Sequence, residues 1–283
     1  MSERAVGWRC RDRVLDCGRP ALIMGIVNVT PDSFSDGGRF ACPDLAVAHG
    51  LELVAQGADL LDIGGESSQP GAQPVPLEEE LNRVIPVLRE LAPRAGVPIS
   101  VDTTKAEVAR QALDLGAHII NDITALLGDP QMPEIVRSNH AGVILMHMQG
   151  TPAVMQQNPT YKDVAREVRD FLEARLQAAR DLGIAEDRVV LDPGIGFGKT
   201  AEHNWELLRR LHELQDLRRP VCLGVSRKGL LRGPRNRPAE RRMAASLAVA
   251  CFALAHGSAQ ILRVHDVAET RDAVEVYRAL AKV

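Results

Sequence analysis

The chain has 283 residues, a net charge of −3, 45% hydrophobic and 25% charged residues, ordinary globular usage that excludes a disordered or fibrous polymer. Lys and Arg number 34 against 37 Asp and Glu, so no basic excess exists to hold a polyphosphate backbone, which argues against a general nucleic-acid binder. With five Phe, two Trp and two Tyr, the core must be built from Ala, Val, Leu and Ile.

In chain order, residues 1–20 carry Arg4, Arg9, Arg11 and Arg13 without an apolar run. They read as an N-terminal extension and not as a secretory signal. Short β-rich runs then follow at 21–29, 59–63, 98–102, 118–122, 142–146, 189–191, 221–225 and 260–264, separated by Ala-, Leu- and Arg-rich stretches of helical period such as 161–182 and 202–217. Strands alternating with helices predict parallel strands joined by right-handed crossovers. Their continuous apolar bodies fit a sheet covered on both faces. A single (β/α)8 TIM barrel over residues 1–283, with parallel strands, accounts for count and length together; a doubly wound open sheet is the alternative. The stretch 241–256 is apolar almost all the way round, too apolar for a helix with one solvated face, and predicts a twofold homodimer or a deeply buried helix. Its apolar run, 243–255, is too short to span a bilayer. Cys10, Cys17, Cys42, Cys222 and Cys251 form no C-x-x-C pair, which favours reduced thiols and a cytoplasmic protein.

Active residues of such a barrel sit where strands end. Those ends carry Asn28, Asp62 with Glu66, Asp102, Asn121 with Asp122, His147, Asp192, Ser226 to Lys228, and Arg263 with His265. Eight polar ends on apolar strands predict the rim of one polar pocket. Two Pro-, Gly- and Asp-rich segments, one from Asn28 to Gly38 and one from Asp62 to Gly71, read as loops over the mouth or as ordinary surface loops.

Three motifs are near misses. Gly194-Ile-Gly-Phe-Gly-Lys-Thr lacks the P-loop spacing, and Lys199 stands where the dinucleotide fingerprint needs its third glycine. It is either a flexible turn or a floor on which a flat ring lies close to the backbone, with Asp192 beside it. Gly224-Val-Ser-Arg-Lys lacks the closing glycine of a nucleophile elbow, so Lys228 reads better as a pocket donor than Ser226 as a nucleophile. Arg263 and His265 alternate onto one side of an extended chain, which suits a phosphate or diphosphate. The arginines 232, 235, 237, 241 and 242 read as a solvated loop and helix start.

With these motifs quoted in order, the sequence resembles the dihydropteroate synthases. The carriers are Gly25-Ile-Val-Asn-Val-Thr-Pro-Asp-Ser-Phe-Ser-Asp-Gly-Gly, Asp62-Ile-Gly-Gly-Glu-Ser, Ser100-Val-Asp-Thr, Asn121-Asp, Asp192-Pro-Gly-Ile-Gly-Phe-Gly-Lys, Ser226-Arg-Lys and Arg263-Val-His-Asp. The resemblance implies condensation of (7,8-dihydropterin-6-yl)methyl diphosphate with 4-aminobenzoate in folate biosynthesis, by an SN1-like displacement, in a Mg2+-dependent homodimeric enzyme of a class targeted by sulfonamides. It implies a pterin held by Asp102, Asn121, Asp192 and Lys228, with Met146, Gly196 and Phe197 against the ring. Asn28, Ser68, Arg263 and His265 would meet the diphosphate, with Asn28 also at the metal; Phe34, Pro70 and Lys228 would meet 4-aminobenzoate. Asp102, Lys228 and Asp36 are the implied catalytic residues. One departure stands out: Glu66-Ser-Ser-Gln-Pro-Gly carries Ser68 and Gln69 where the family usually has Thr and Arg. The competing readings are a methyltetrahydrofolate:corrinoid methyltransferase domain and a catalytically silent pterin-binding barrel.

Overall fold

A computed structural model describes residues 7–18, 20–30 and 43–281. Its first element is one the sequence reading treated only as an extension. Strands β1 (Gly7–Cys10) and β2 (Arg13–Asp16) form an antiparallel hairpin. Trp8 is fully buried, and its indole N–H donates to the carbonyl of Arg188 at 2.8 Å. Arg11 turns the hairpin at φ 57°, a conformation that glycine adopts more readily. Its guanidinium donates to the carbonyls of Leu113 and Ala117 at 2.6 and 2.9 Å, tying the turn to the barrel wall.

The eight expected β/α units follow. They are β3 (Leu22–Asn28) with α1 (Pro43–Ala55), β4 (Leu60–Gly64) with α2 (Leu77–Ala95), β5 (Ile99–Asp102) with α3 (Ala106–Asp114), and β6 (Ile119–Asp122) with α4 (Met132–Ser138). Then come β7 (Gly142–Met146) with α5 (Val164–Asp181), β8 (Val189–Asp192) with α6 (Ala201–Arg209), β9 (Cys222–Leu223) with α7 (Met243–Ala255), and β10 (Ile261–Val264) with α8 (Val267–Ala281). All eight strands are parallel, in the order β8-β7-β6-β5-β4-β3-β10-β9. A parallel bridge between Leu191 and Val221 brings β8 to the start of β9 and closes the ring. This is the TIM barrel, and the open-sheet alternative falls with that bridge.

Two expected elements are shorter than their patterns. The 221–225 strand is reduced to Cys222 and Leu223 with the single bridge at Val221, because the chain turns at Val225, whose carbonyl accepts the N–H of Lys228. The 202–217 helix ends at Arg209 and continues as a 3-10 helix, Leu211–Leu217. Leu211, Leu214 and Leu217 are three residues apart and all buried, the spacing that a three-residue turn stacks on one face.

Strand alternation separates two cores. Ile23, Val27, Leu61, Ile63, Val101, Ile120, Val143 and Leu191 face outward into the layer packed by the helices. Leu22, Met24, Leu60, Ile119, Ile144, Val190, Cys222 and Ile261 face inward and pack with Trp8 and Cys10. The lower barrel is therefore dry and plugged by the hairpin. Further along the same inward rows come Asp62, Ser100, Asp102, Asn121, Asp192 and Arg263, so polarity rises toward the C-terminal ends.

Candidate active site

The inner wall of the upper barrel is an ion network. The Arg263 guanidinium donates to Asp62 at 2.6 Å and to Asp102 at 2.9 Å, and the Asn121 amide donates to Asp62 at 3.1 Å. Asp62 is fully buried, and these two donors replace the hydrogen bonds it would make to water. Burial opposes the Arg263 charge too, but Asp62 and Asp102 outweigh it and hold the group protonated. Asp102 sits nearest the mouth. Burial pushes its carboxyl up to about 7 against the pull of Arg263, with Asp62, Glu80 and Asp122 adding repulsion.

Opposite this wall lies a floor of three glycines. Gly194, Gly196 and Gly198 have φ of 65°, 85° and 58°. A Cβ at Gly194 would lie 1.8 Å from the His147 carbonyl oxygen, and one at Gly198 would lie 2.2 Å from that of Gln149. Only glycine lets the loop lie this close to the neighbouring backbone. Asp192 is nearly buried beside the floor and accepts the Gly194 N–H at 2.7 Å. Burial raises its carboxyl, and Lys228 pulls it back. Burial in turn lowers the Lys228 ammonium to about 8, against the pull of Asp192. Lys228 donates to the carbonyl of Ile195 and stands 4.6 Å from the centre of the Phe197 ring. An anionic acceptor, a cationic donor and an aromatic ring thus converge beside the glycine floor.

The sequence reading missed what holds this floor. Lys199, 2% exposed, donates to the carbonyls of Gly194 and Phe197 at 2.9 and 3.0 Å and lies 2.9 Å from His147 Nδ1. Burial lowers its ammonium far below the ordinary range, and burial with Lys199 lowers the His147 imidazole to about 3. The residue that broke the dinucleotide fingerprint is the one that ties down the loop. That mismatch was the available signal.

The rim of eight polar strand ends is therefore not one surface. His147 turns outward to Lys199 and packs edge-on against Phe171. Asp122 also turns outward, accepting from the N–H groups of Thr124 and Leu126 and from the Thr124 hydroxyl. Glu66 pairs with Lys105. Ser226, 6% exposed, accepts the N–H of His265 at 3.2 Å, and its Oγ lies 3.0 Å from the His265 Nδ1. A hydroxyl oxygen accepts twice and donates once, so this contact fits either tautomer of the ring. Burial, with Arg227 and Arg263 nearby, lowers that ring to about 4, so it is neutral at pH 7.

The comparisons with known proteins agree with this geometry. The sequence profile of the family described as pterin binding enzymes matches residues 24–265. The dihydropteroate synthase of Neisseria meningitidis serogroup B is 49% identical over 266 residues, covering 91% of this chain and 92% of that relative. The chain belongs to the dihydropteroate synthases of the pterin-binding enzyme family. The Xanthomonas albilineans enzyme of this family, solved with 4-aminobenzoic acid, superposes with a TM-score of 0.91 at 47% identity, covering 98% of this chain and 99% of that one. Its complex with 7,8-dihydropteroate gives 0.88 at 46%, with 98% and 99% covered. The Yersinia pestis enzyme with a sulfonamide drug complex gives 0.92 at 42%, with 98% and 100% covered.

Seen as a dihydropteroate synthase, the chain brings most of the expected residues to one mouth. Asp102, Asn121, Asp192 and Arg263 lie on inward rows, Lys228 follows the turn after β9, and buried Met146 is in register with Asp192. Gly196 and Phe197 form the floor. Asn28 ends β3 half-buried, in register with Gly64. In the second loop Ser68 is half-buried, whereas Gln69 and Pro70 are exposed at the outer rim. Arg263 is more deeply engaged than the sequence suggested, since two carboxylates already hold it. Asp62, read only as a strand end, is their shared anchor. Phe34 and Asp36 lie outside the described residues.

Proposed function

We propose that the chain condenses (7,8-dihydropterin-6-yl)methyl diphosphate with 4-aminobenzoate to give 7,8-dihydropteroate and diphosphate. The observation that carries this reading is the opposed pair of Asp192 and Lys228 above the glycine floor. A 2-amino-4-oxopyrimidine edge offers adjacent N–H donors and a carbonyl; the carboxylate takes the donors and the ammonium the acceptor. Asn121, Met146, Gly196 and Phe197 complete the ring contacts.

The chemistry follows from charge. Asp62, Asp102 and Asp192 face Arg263 and Lys228, so once Asp102 is ionised the carboxylates outnumber the cations in this site. Such a field favours a cation in place of the bound neutral methylene. The C–O bond to the diphosphate breaks first, its electron pair leaving with the oxygen, and the methylene cation delocalises into the pterin ring beside Asp102. The amine nitrogen of 4-aminobenzoate then attacks and loses a proton. That amine needs placing more than activation, a task for Phe34, Pro70 and Lys228. Asp36, outside the described residues, is the third catalytic residue that the family resemblance implies.

Asn28, Ser68, Arg263 and His265 receive the diphosphate. Among the described residues no cluster of three or more His, Cys, Asp or Glu forms a metal cage. The amide oxygen of Asn28 would hold Mg2+, an ion that takes oxygen donors and is ordinarily bound through one or two protein groups together with substrate phosphates. When bound, the ion neutralises charge on the leaving group.

The assembly follows from α7. Ala244, Ala248, Phe252 and Ala255 are exposed on its outer face, an apolar strip suited to a second copy in a twofold homodimer. Cys10, Cys17, Cys222 and Cys251 are free thiols, and no helix of the described residues is long and apolar enough to cross a membrane. Both suit the cytoplasm. Competition between 4-aminobenzoate and sulfonamides for one site is part of the same reading.

Formation of dihydropteroate from the pterin diphosphate, 4-aminobenzoate and Mg2+ tests the assignment. Turnover only with a methyltetrahydrofolate and a corrinoid acceptor would overturn it, as would pterin binding without any turnover.

A further inference from the structure

One partly buried charge cluster lies outside the substrate contacts described above. Lys105, just beyond β5, pairs with both Glu66 and Glu80. Glu80 belongs to the first turn of α2, and its side chain is 1% exposed. Glu66 lies two residues beyond β4, at the root of the second loop. Without the ammonium, two carboxylates would face each other in a poorly solvated crevice, and repulsion would drive the movable one outward. That one is Glu66, because Glu80 is fixed on a helix.

The same root is held a second time. The Arg83 guanidinium, also on α2, donates to the Gly65 carbonyl at 2.7 Å. A Cβ at Gly65 would lie 2.6 Å from Val84 Cγ2 and 3.2 Å from Glu80 Cγ. The chain therefore runs flush against α2 before it rises toward Ser68 and Pro70. Farther out the loop has one described backbone tie to the rest of the mouth, the Gly71 N–H to the Pro152 carbonyl at 2.9 Å.

We propose that Lys105 is a positioning residue for the second loop: by bridging Glu66 to Glu80 it fixes the loop root against α2 and sets where Ser68 and Pro70 stand over the mouth. It touches neither substrate. Its effect on turnover rests on the function proposed above, but its effect on the loop does not.

The test has two arms. In the free protein, hydrogen exchange of the peptide spanning residues 64–76 accelerates at least fivefold in Lys105→Met and stays within twofold of the parent in Lys105→Arg, whose guanidinium can still bridge two carboxylates. In turnover, Lys105→Met raises the KM for 4-aminobenzoate at least fivefold while the Kd for the pterin diphosphate stays within twofold; Lys105→Arg keeps both. Unchanged exchange in Lys105→Met overturns the proposal even if the protein proves to have another activity. So does equal weakening of both substrates with a global rise in exchange, which would mean that Lys105 only supports the fold. Should Lys105→Met fail to accumulate, Glu66→Gln, which keeps the Lys105–Glu80 pair, must still accelerate exchange at 64–76 without affecting the hairpin at residues 7–16.

Discussion

The two ends of this barrel are made from the same strands and could hardly differ more. At the bottom, inward-facing Leu22, Met24, Leu60, Ile144 and Ile261 close on Trp8 in a dry cluster. A few residues farther along, Asp62, Asp102, Asp192, Arg263 and Lys228 are packed at close quarters, with burial raising the carboxyls of Asp102 and Asp192 and lowering the Lys228 ammonium. One end stabilises the fold, and the other accepts an electrostatic cost that binding and chemistry can use. Substitutions at the two ends should therefore change different quantities.

The largest effect belongs to the bottom. Trp8→Ala opens a cavity in the plug and removes the donor to Arg188; it should cost about 3–5 kcal/mol of stability while KM for both substrates stays within twofold. Thermal unfolding and steady-state kinetics check this. A large KM change with little loss of stability would join the two ends into one functional unit.

At the mouth the order reverses. Asp192→Asn and Lys228→Ala should each weaken pterin binding by about 2–4 kcal/mol, because a charge-assisted hydrogen bond is lost and its buried partner stranded. Unfolding temperatures should stay near the parent's. Calorimetry giving near-parental affinity in both variants would remove the ring from this pair.

The mouth should also have its own pH profile. Asp102 must be ionised to stabilise a cation, and its pKa is raised to about 7, so kcat/KM should rise with pH through that value. Lys228 must be protonated to donate, and its pKa is lowered to about 8, so kcat/KM should fall above it. The profile is a narrow bell whose limbs belong to the free enzyme. Asp102→Asn should abolish the acid limb. An acid limb that survives in that variant would assign it to another group.

Much of this was legible in the sequence because parallel strands buried on both faces read as unbroken apolar runs. All eight were found that way, and their polar ends pointed to the mouth. Resemblance then supplied roles that periodicity cannot. What stayed hidden depends on register and on partners distant in the chain. Asp62 looked like any strand end until β4 and β10 were set either side of β3, bringing Arg263 to it. Lys199 looked like a failed motif because its partners are carbonyls, which carry no side-chain signature. The hairpin was missed because Arg11 occupies a turn position where a glycine would have announced it. Asp122 and His147 were counted as rim residues because a one-residue difference in alternation decides which way a side chain faces.

The smallest effect concerns the loop. Gln69 is exposed and neutral, and Gln69→Arg should lower the KM for 4-aminobenzoate by about twofold to fivefold, the reach of an exposed ion pair worth about 0.2–1 kcal/mol. An unchanged or raised KM would show that the position makes no charge contact in the closed state.

The central claim is that the charge excess at the mouth stabilises a pterin methylene cation before the amine arrives. Positional isotope exchange measures this directly. The pterin diphosphate carries 18O at the oxygen bridging carbon and phosphorus and is incubated with enzyme and Mg2+ without 4-aminobenzoate. The account predicts slow scrambling of the label into the non-bridging positions of the same phosphoryl group, abolished in Asp102→Asn. No scrambling in the parent enzyme, under conditions where turnover with the amine is fast, would contradict it and require a concerted displacement.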